Sequence, residues 1–209
     1  MPMAPPQTQT RYMKLNKLCN LEDWQIPELR AAMRLLEPDL ALHYPEFPGN
    51  REHRKSWEWA HMMVGLESLD ALPPDGMALG VGAGHEPPLF ELTNRMRWVF
   101  ATDIYGTGDF TEFEAQPSML SEPDRFARGP YNRNRLVVEH MNACDLRFEE
   151  ATFDVVFCLS SIEHFGGVEG AQKGLAEMAR VLKPGGIAVI TTECIVNDQP
   201  HYSRTPNLE

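Results

Sequence analysis

The stretch MALGVGAGHEP, Met77 to Pro87, runs from a short apolar segment into three glycines separated by single residues, and then into a proline able to open a helix. A glycine has no Cβ, so Gly80, Gly82 and Gly84 let the backbone pass closer to a ligand than any other residue type would. What surrounds the stretch decides how it is read. From Pro73 onward, short runs rich in Val, Ile and Phe recur: MALGV, RWVFATD (Arg97–Asp103), RLVVEHM (Arg135–Met141), FDVVFCLS (Phe153–Ser160) and GIAVITTE (Gly186–Glu193). Such runs suit strands buried on both faces of a parallel sheet. Between them lie PPLFELTNRM (Pro87–Met96) and GVEGAQKGLAEMARVLKPGG (Gly167–Gly186), the second with the apolar period of a helix that stops at Pro184. This alternation predicts an α/β fold with a doubly wound, mainly parallel sheet and right-handed crossovers. Ligands of such sheets bind beyond the carboxyl ends of the strands, where the three glycines sit.

Composition narrows the classes. A chain of 209 residues with 43% hydrophobic content can bury a full core, and its formal net charge of −11 argues against a nucleic-acid partner, whose phosphates call for a basic surface. The chain contains no uncharged apolar run of bilayer length and no signal-type start, so a cytoplasmic protein without a membrane partner is expected. Cys19, Cys144, Cys158 and Cys194 show neither a CxxC pair nor metal-type spacing to His, so no metal is expected and the thiols are read as free and mostly buried. Three parts follow from the pattern: a flexible tail at 1–20 rich in Pro, Gln and Thr, an N-terminal helical cap at 21–72, and the sheet domain at 73–209. In the cap, Pro27–Leu36 forms one helix with Leu29, Met33 and Leu36 on a single face, HYPEFPGN breaks the chain, and a longer helix follows with Trp57, Ala60 and Val64 at helical spacing.

Two cofactor classes bind at glycines in this position. The dinucleotide fingerprint GxGxxG needs a third glycine where this chain has His85, which disfavours a nicotinamide-dependent oxidoreductase. The sequence instead resembles the class I S-adenosylmethionine-dependent methyltransferases, over about Met77 to Thr192. The resemblance rests on LGVGAG as the glycine loop, ATDIYG as the acid-ended second strand, MNACDLRFEEATFDVVFCLSSIEHF as the adenine loop and fourth strand, and MARVLKPGGIAVITTE as the turn into the fifth. It implies a Rossmann-like sheet of five strands in the order 3-2-1-4-5, S-adenosylmethionine as cofactor and a transferase of the EC 2.1.1 type.

The resemblance also assigns residues. Asp103 would accept the ribose hydroxyls through both carboxylate oxygens, Ile104 would pack on the adenine, Asn142 and the Ala143 amide would meet its edge, and Leu159 and Ser160 at the end of the fourth strand would complete the site. Asp145 competes with Asn142. The family's acid two residues before the first glycine is replaced here by Ala78, and Glu86 is the candidate for holding the methionine amino group in its stead, or else a helix-start charge. His164 is the candidate general base, with Glu163 orienting it or binding the acceptor.

The acceptor is read as a small molecule, with O-methylation preferred on account of His164 and a sugar or nucleotide-linked sugar as candidate acceptors. The insertion from Tyr105 to Arg135 carries Arg125, Arg128, Arg133 and Arg135, suited to a phosphate or carboxylate or to pairing with Glu122 and Asp124. Trp57, Trp59, Tyr44 and Phe47 are candidates for covering the cofactor, or for plain packing. A catalytically silent cofactor-binding protein acting through a partner is the other function class. Only CIVNDQPHYSRTPNLE follows Glu193, too short for the family's usual sixth and seventh strands, so the fifth strand is expected to be an edge covered by the tail or, as a homodimer, by a second copy.

Overall fold

The computed structural model describes residues 14–194. Of the expected tail, residues 1–13 lie outside this range, whereas Leu15 accepts a hydrogen bond from His61 Nε2 at 2.8 Å and Lys17 pairs with Asp23. Helix α1 (Pro27–Leu36) starts on its proline and buries Leu29, Met33 and Leu36. Pro38, just past its end, opens a second short helix, α2 (Pro38–His43), since a proline in the first turn loses no helical hydrogen bond, and the expected break at HYPEFPGN follows as turns.

Helix α3 (Arg54–Ser68) begins where His53 Nδ1 accepts the Lys55 amide. It is apolar on two sides, not one. Trp57, Ala60 and Val64 pack with Leu29 and Met33 of α1 and with Phe47, while Trp59, Met62, Met63 and Leu66 enter the core beneath the sheet.

The sheet has five strands, β1 (Met77–Val81), β2 (Trp98–Asp103), β3 (Leu136–His140), β4 (Phe153–Leu159) and β5 (Leu182–Thr191), ordered β3-β2-β1-β4-β5 with every pairing parallel. The expected strand order is observed. Alternation along β4 shows why both faces must be covered: Val155, Phe157 and Leu159 join α3 and the short α4 (Pro87–Leu92) on one face. Val156 and Cys158 meet Met178 and Val181, from the helix that follows β4, on the other face. Three phenylalanines meet on that side, where Phe100, Phe148 and Phe153 stand edge to face in all three pairings.

Two boundaries differ from the expectation. The helix after β4 ends at Val181 rather than Pro184, because Leu182 already pairs with Phe153. The ladder then slips, and Lys183–Gly186 bulge out before Ile187 rejoins Val155. The bulge is held by Lys183 Nζ on Asp154, 2.9 Å from Oδ2, the same oxygen that accepts the Met77 amide. The insertion between β2 and β3 contains one turn of α-helix, α5 (Ser118–Ser121), and two 3₁₀ turns, Pro123–Arg125 and Arg133–Arg135, so the helix after β4 is α6 (Gly167–Val181). Buried Ala115 and Met119 anchor the insertion.

Only Cys158 of the four cysteines is buried, whereas Cys19 and Cys194 are exposed, contrary to the reading of mostly buried thiols. They stand outside the sheet, where no apolar layer covers them. Among the described residues β5 is an edge, with Ile190 39% exposed. The tail expected to cover it, residues 195–209, lies outside the described range. No helix among the described residues is long and apolar enough to cross a membrane, and no described group of three or more His, Cys, Asp or Glu is placed to hold a metal.

Candidate functional site

The carboxyl ends of β1, β2 and β4 converge on the glycine loop, but the three glycines do not share one role. Gly80 lies inside β1, paired with Ala101 and Phe157. A Cβ there would come within 2.7 Å of Ala83 Cβ, 2.8 Å of the Phe157 ring and 3.0 Å of Leu89, so packing within the chain already requires this glycine. The loop proper is Gly82 and Gly84, at φ +59° and +47°, in the left-handed region that side chains resist. Gly80→Ala is therefore expected to cost ~1–3 kcal/mol through overpacking. A chemical denaturation midpoint equal to the parent's would show that the space is open.

Gly82 and Gly84 are approached first by the chain itself. Ser161 Oγ donates to the Gly82 carbonyl at 2.6 Å, and the Glu114 carbonyl stands 2.7 Å from where a Cβ of Gly84 would be. Asp103, at the tip of β2, accepts the Gly84 amide on Oδ2 at 2.8 Å and the Ile104 amide on Oδ1 at 2.7 Å. Burial pushes its carboxyl pKa up against these two bonds, and the Glu114 charge adds to the rise. Each carboxylate oxygen keeps a further lone pair for a ligand hydroxyl. Tyr105, buried beside it, donates its hydroxyl to the Gly84 carbonyl at 2.6 Å.

The insertion crosses this end of the sheet. His85 stacks on Phe126 and its Nε2 donates to the Phe113 carbonyl at 3.2 Å, while Phe110 lies 4.7 Å from the His164 ring. The run from Tyr105 to Gln116 thus bridges from the glycine loop to the turn after β4. Its arginines are engaged elsewhere: Arg128 binds Glu37 at 2.8 Å and lies over Trp59, Arg135 donates to the Thr93 and Met96 carbonyls, Arg125 pairs with Glu122 and Arg133 with Asp124. Of the four aromatics expected near the cofactor, Phe47 and Trp57 are buried among the N-terminal helices, Trp57 donating to Asp23, and Tyr44 is half-exposed under Arg51.

A charged cluster that the residue order did not reveal fills the space beside the loop. Lys55 Nζ, on the first turn of α3, donates to Glu86 Oε1 at 2.6 Å, Glu58 Oε2 at 3.1 Å and the Leu159 carbonyl at 2.8 Å. Glu58 also accepts from Arg54, from Ser160 Oγ and from Thr191 Oγ1, so both its oxygens are satisfied. Glu86 has Lys55 alone. Its Oε2 is buried without a partner, and the Trp59 indole N–H faces it without closing a hydrogen bond of good geometry.

Burial drives the Glu86 carboxyl up to about 7, with Lys55 opposing the rise. Burial works against the Lys55 charge too, but Glu86 and Glu58 outweigh it and hold the ammonium pKa up. One cation serving two carboxylates leaves Glu86 the under-compensated one. The signal available in sequence was Lys55 and Glu58 standing three apart at the start of a helix whose continuation, WAHMMVGL, is largely apolar.

The remaining candidates occupy the rim. Ser160 sits at φ +52°, a strained conformation for a serine, held by its amide on the Thr191 carbonyl and its hydroxyl on Glu58. Asn142 is exposed and its Oδ1 accepts the Cys144 amide in a local turn, whereas Ala143 is buried on the α6 side. Glu163 accepts from Thr192 Oγ1 and the Glu193 amide, both at 3.4 Å, rather than orienting His164. Their side chains leave the same 3₁₀ turn, Ile162–His164, in different directions, so adjacency in sequence did not mean contact.

A family model for the methyltransferase domain matches residues 79–190, more than half of the chain. The chain belongs to the methyltransferase-domain family. Sixty-four residues of this methyltransferase-domain chain, 31% of it, are 39% identical to "Probable methyltransferase ltbC" of Aspergillus luteorubrus, and they cover 21% of that protein. A Bacillus halodurans C-125 protein assigned to the methyltransferases shares the fold, with a TM-score of 0.51 at 20% identity over 65% of this chain and 53% of the other. An S-adenosylmethionine-dependent methyltransferase of Methanosarcina mazei aligns at 23% identity and TM-score 0.46, over 59% of this chain and 55% of its own. The chain thus spans about half the length of these solved relatives and about a fifth of the curated one. S-adenosylmethionine is the family's cofactor. The residues fit it: a buried carboxylate with an unpartnered oxygen suits a cationic ligand, and Asp103 with free lone pairs suits a diol.

Proposed function

We propose that the methyltransferase domain transfers a methyl group from S-adenosylmethionine to a small-molecule acceptor, with a hydroxyl oxygen as the receiving atom. The observation that carries this reading is the carboxylate of Asp103 set against the loop of Gly82 and Gly84 at the carboxyl end of β2. When bound, S-adenosylmethionine supplies a methyl carbon already activated by its sulfonium, so the chain's work is alignment and, for a hydroxyl acceptor, removal of a proton.

Asp103 takes the ribose hydroxyls, Ile104 packs on the adenine, and Asn142 with the Ala143 amide meets its edge. Glu86 holds the amino group, beside Leu159 and Ser160. Its burial supports that role, because a carboxylate with one bare oxygen gains most from a ligand's ammonium. His164 takes the acceptor's proton. Phe110 against its ring restricts the imidazole, which stays exposed to solvent, and the exposed Phe113 adds a second aromatic surface suited to a ring-shaped acceptor. Glu163, directed to the end of β5, binds the acceptor rather than the base in this reading.

The reading is tested with methyl-labelled S-adenosylmethionine and a panel of hydroxylated acceptors, including sugars, phenols and nucleotide-linked sugars. With an acceptor in hand, His164→Ala is expected to lower kcat by ~10²-fold or more while S-adenosylhomocysteine affinity stays unchanged. Full rate in that variant removes the base role and leaves alignment as the whole of catalysis. Label transferred to no acceptor in the panel counts against the O-methylation assignment.

A further inference from the structure

Lys55 carries the inference. An ammonium has three N–H groups, and those of Lys55 meet three acceptors from three separate places: Glu58 within α3, Glu86 after the glycine loop, and the Leu159 carbonyl ending β4. The three bonds are not equally needed by their acceptors. Glu58 keeps Arg54, Ser160 and Thr191 if Lys55 leaves, whereas Glu86 has no other partner and an Oε2 that is already bare. The bond open to exchange is therefore Lys55–Glu86. A charged Glu86 cannot simply be deserted, because an unpaired charge at this depth is costly, whereas Lys55 keeps Glu58.

A ligand that opens the pair must bring a cation for Glu86, and the N–H of Lys55 that this frees is matched by an anion on the same ligand. An amino-acid zwitterion does this, and its insertion turns one ion pair into two with no change in net charge. A lysine on the first turn of α3, one-fifth exposed and on a four-carbon stem, has the reach to turn from Glu86 toward such a carboxylate.

We propose that Lys55 and Glu86 form a self-paired receptor for the amino-acid end of the cofactor. In this assignment, which rests on the cofactor reading above, the ligand's ammonium takes the place of Lys55 Nζ on Glu86 and the Leu159 carbonyl, and its carboxylate pairs with the released Lys55. The pair acts as a resident salt bridge that a zwitterion exchanges for two. Adenosine-type ligands lacking the amino-acid end bind without disturbing it.

The test is calorimetry on the full chain with two ligands, S-adenosylhomocysteine and 5′-methylthioadenosine, the latter sharing the nucleoside and thioether but carrying no amino acid. Lys55→Met is expected to weaken S-adenosylhomocysteine at least ~tenfold and leave 5′-methylthioadenosine within ~twofold, since only the first uses a charge-assisted pair with Lys55. Retained 5′-methylthioadenosine binding certifies that the variant is folded. If Lys55→Met does not fold, Lys55→Met with Glu86→Gln removes the stranded charge, and its affinities for the two ligands are expected to converge to within ~threefold. Equal weakening of both ligands, unchanged S-adenosylhomocysteine binding, or a double variant that keeps the parent's preference overturns the receptor. Absence of S-adenosylhomocysteine binding to the parent chain overturns instead the cofactor reading beneath it.

Discussion

Asp103→Ala is expected to weaken S-adenosylhomocysteine binding at least ~tenfold, because two ligand hydroxyls lose a charged acceptor whose bonds are worth ~1.5–3 kcal/mol. The geometry adds a second effect. The same carboxylate accepts the Gly84 and Ile104 amides, and alanine leaves both donors without their partner. The variant should therefore also lose ~1–3 kcal/mol of stability, read from urea unfolding. Asp103→Asn separates the two effects, since its carbonyl oxygen can keep one of the amides while the charge is gone. It should recover part of the stability and little of the affinity. If Asp103→Ala binds S-adenosylhomocysteine as tightly as the parent, the site is not at the end of β2 and the cofactor reading fails with it.

Glu86→Gln is expected to stabilise the protein, and only on the alkaline side. Burial pushes the Glu86 carboxyl up to about 7 in the folded chain, against an ordinary value of 4.5. Between these values the folded state holds a proton that the unfolded state has lost, so stability falls as pH rises from about 4.5 to about 7 and then levels. Below that window Glu86 is neutral in both states and resembles glutamine. Above it the parent carries a buried, half-compensated charge costing about 3 kcal/mol, which the variant does not.

Lys55 stays satisfied in Glu86→Gln through Glu58 and the Leu159 carbonyl. Unfolding free energies of parent and variant should coincide near pH 4 and diverge in the variant's favour by pH 8. Other carboxylates titrate in both proteins and cancel in the difference. Parallel curves across that range would falsify the account of Glu86 as the under-compensated member of the cluster. Stabilisation here is expected to accompany weaker S-adenosylhomocysteine binding, since the bare carboxylate that destabilises the free protein is the group proposed to meet the ligand's ammonium.

Much of this site was legible in the residue order. Strands buried on both faces read as unbroken runs such as FDVVFCL, and five of them alternating with helical segments leave few arrangements beyond a doubly wound parallel sheet. Asp103 could be placed at a strand tip because the apolar run WVFAT ends there. Where sequence reasoning erred, the deciding contact was nonlocal. Equal spacing made Gly80, Gly82 and Gly84 look alike, and only pairing with Ala101 and Phe157 puts the first inside β1. Of the four arginines close in sequence, Arg125 and Arg133 pair with Glu122 and Asp124, the local alternative to an anion site, but only the fold gives Arg128 its Glu37 and Arg135 the Thr93 and Met96 carbonyls.

By itself, then, the sequence determined the sheet, its order by resemblance, the glycine turn and the acid facing it, because period, composition and strand-end position are local properties that backbone sterics convert directly into structure. Only the tertiary structure decided the charge arrangement at the site. Lys55 reaches Glu86 across 31 residues and Leu159 across 104, and whether two such groups meet depends on how α3 crosses the sheet, which no local pattern encodes. Burial did the rest, since the same carboxylate that would titrate as an ordinary surface acid becomes, enclosed with one oxygen bare, a group poised near neutrality and in want of a cation.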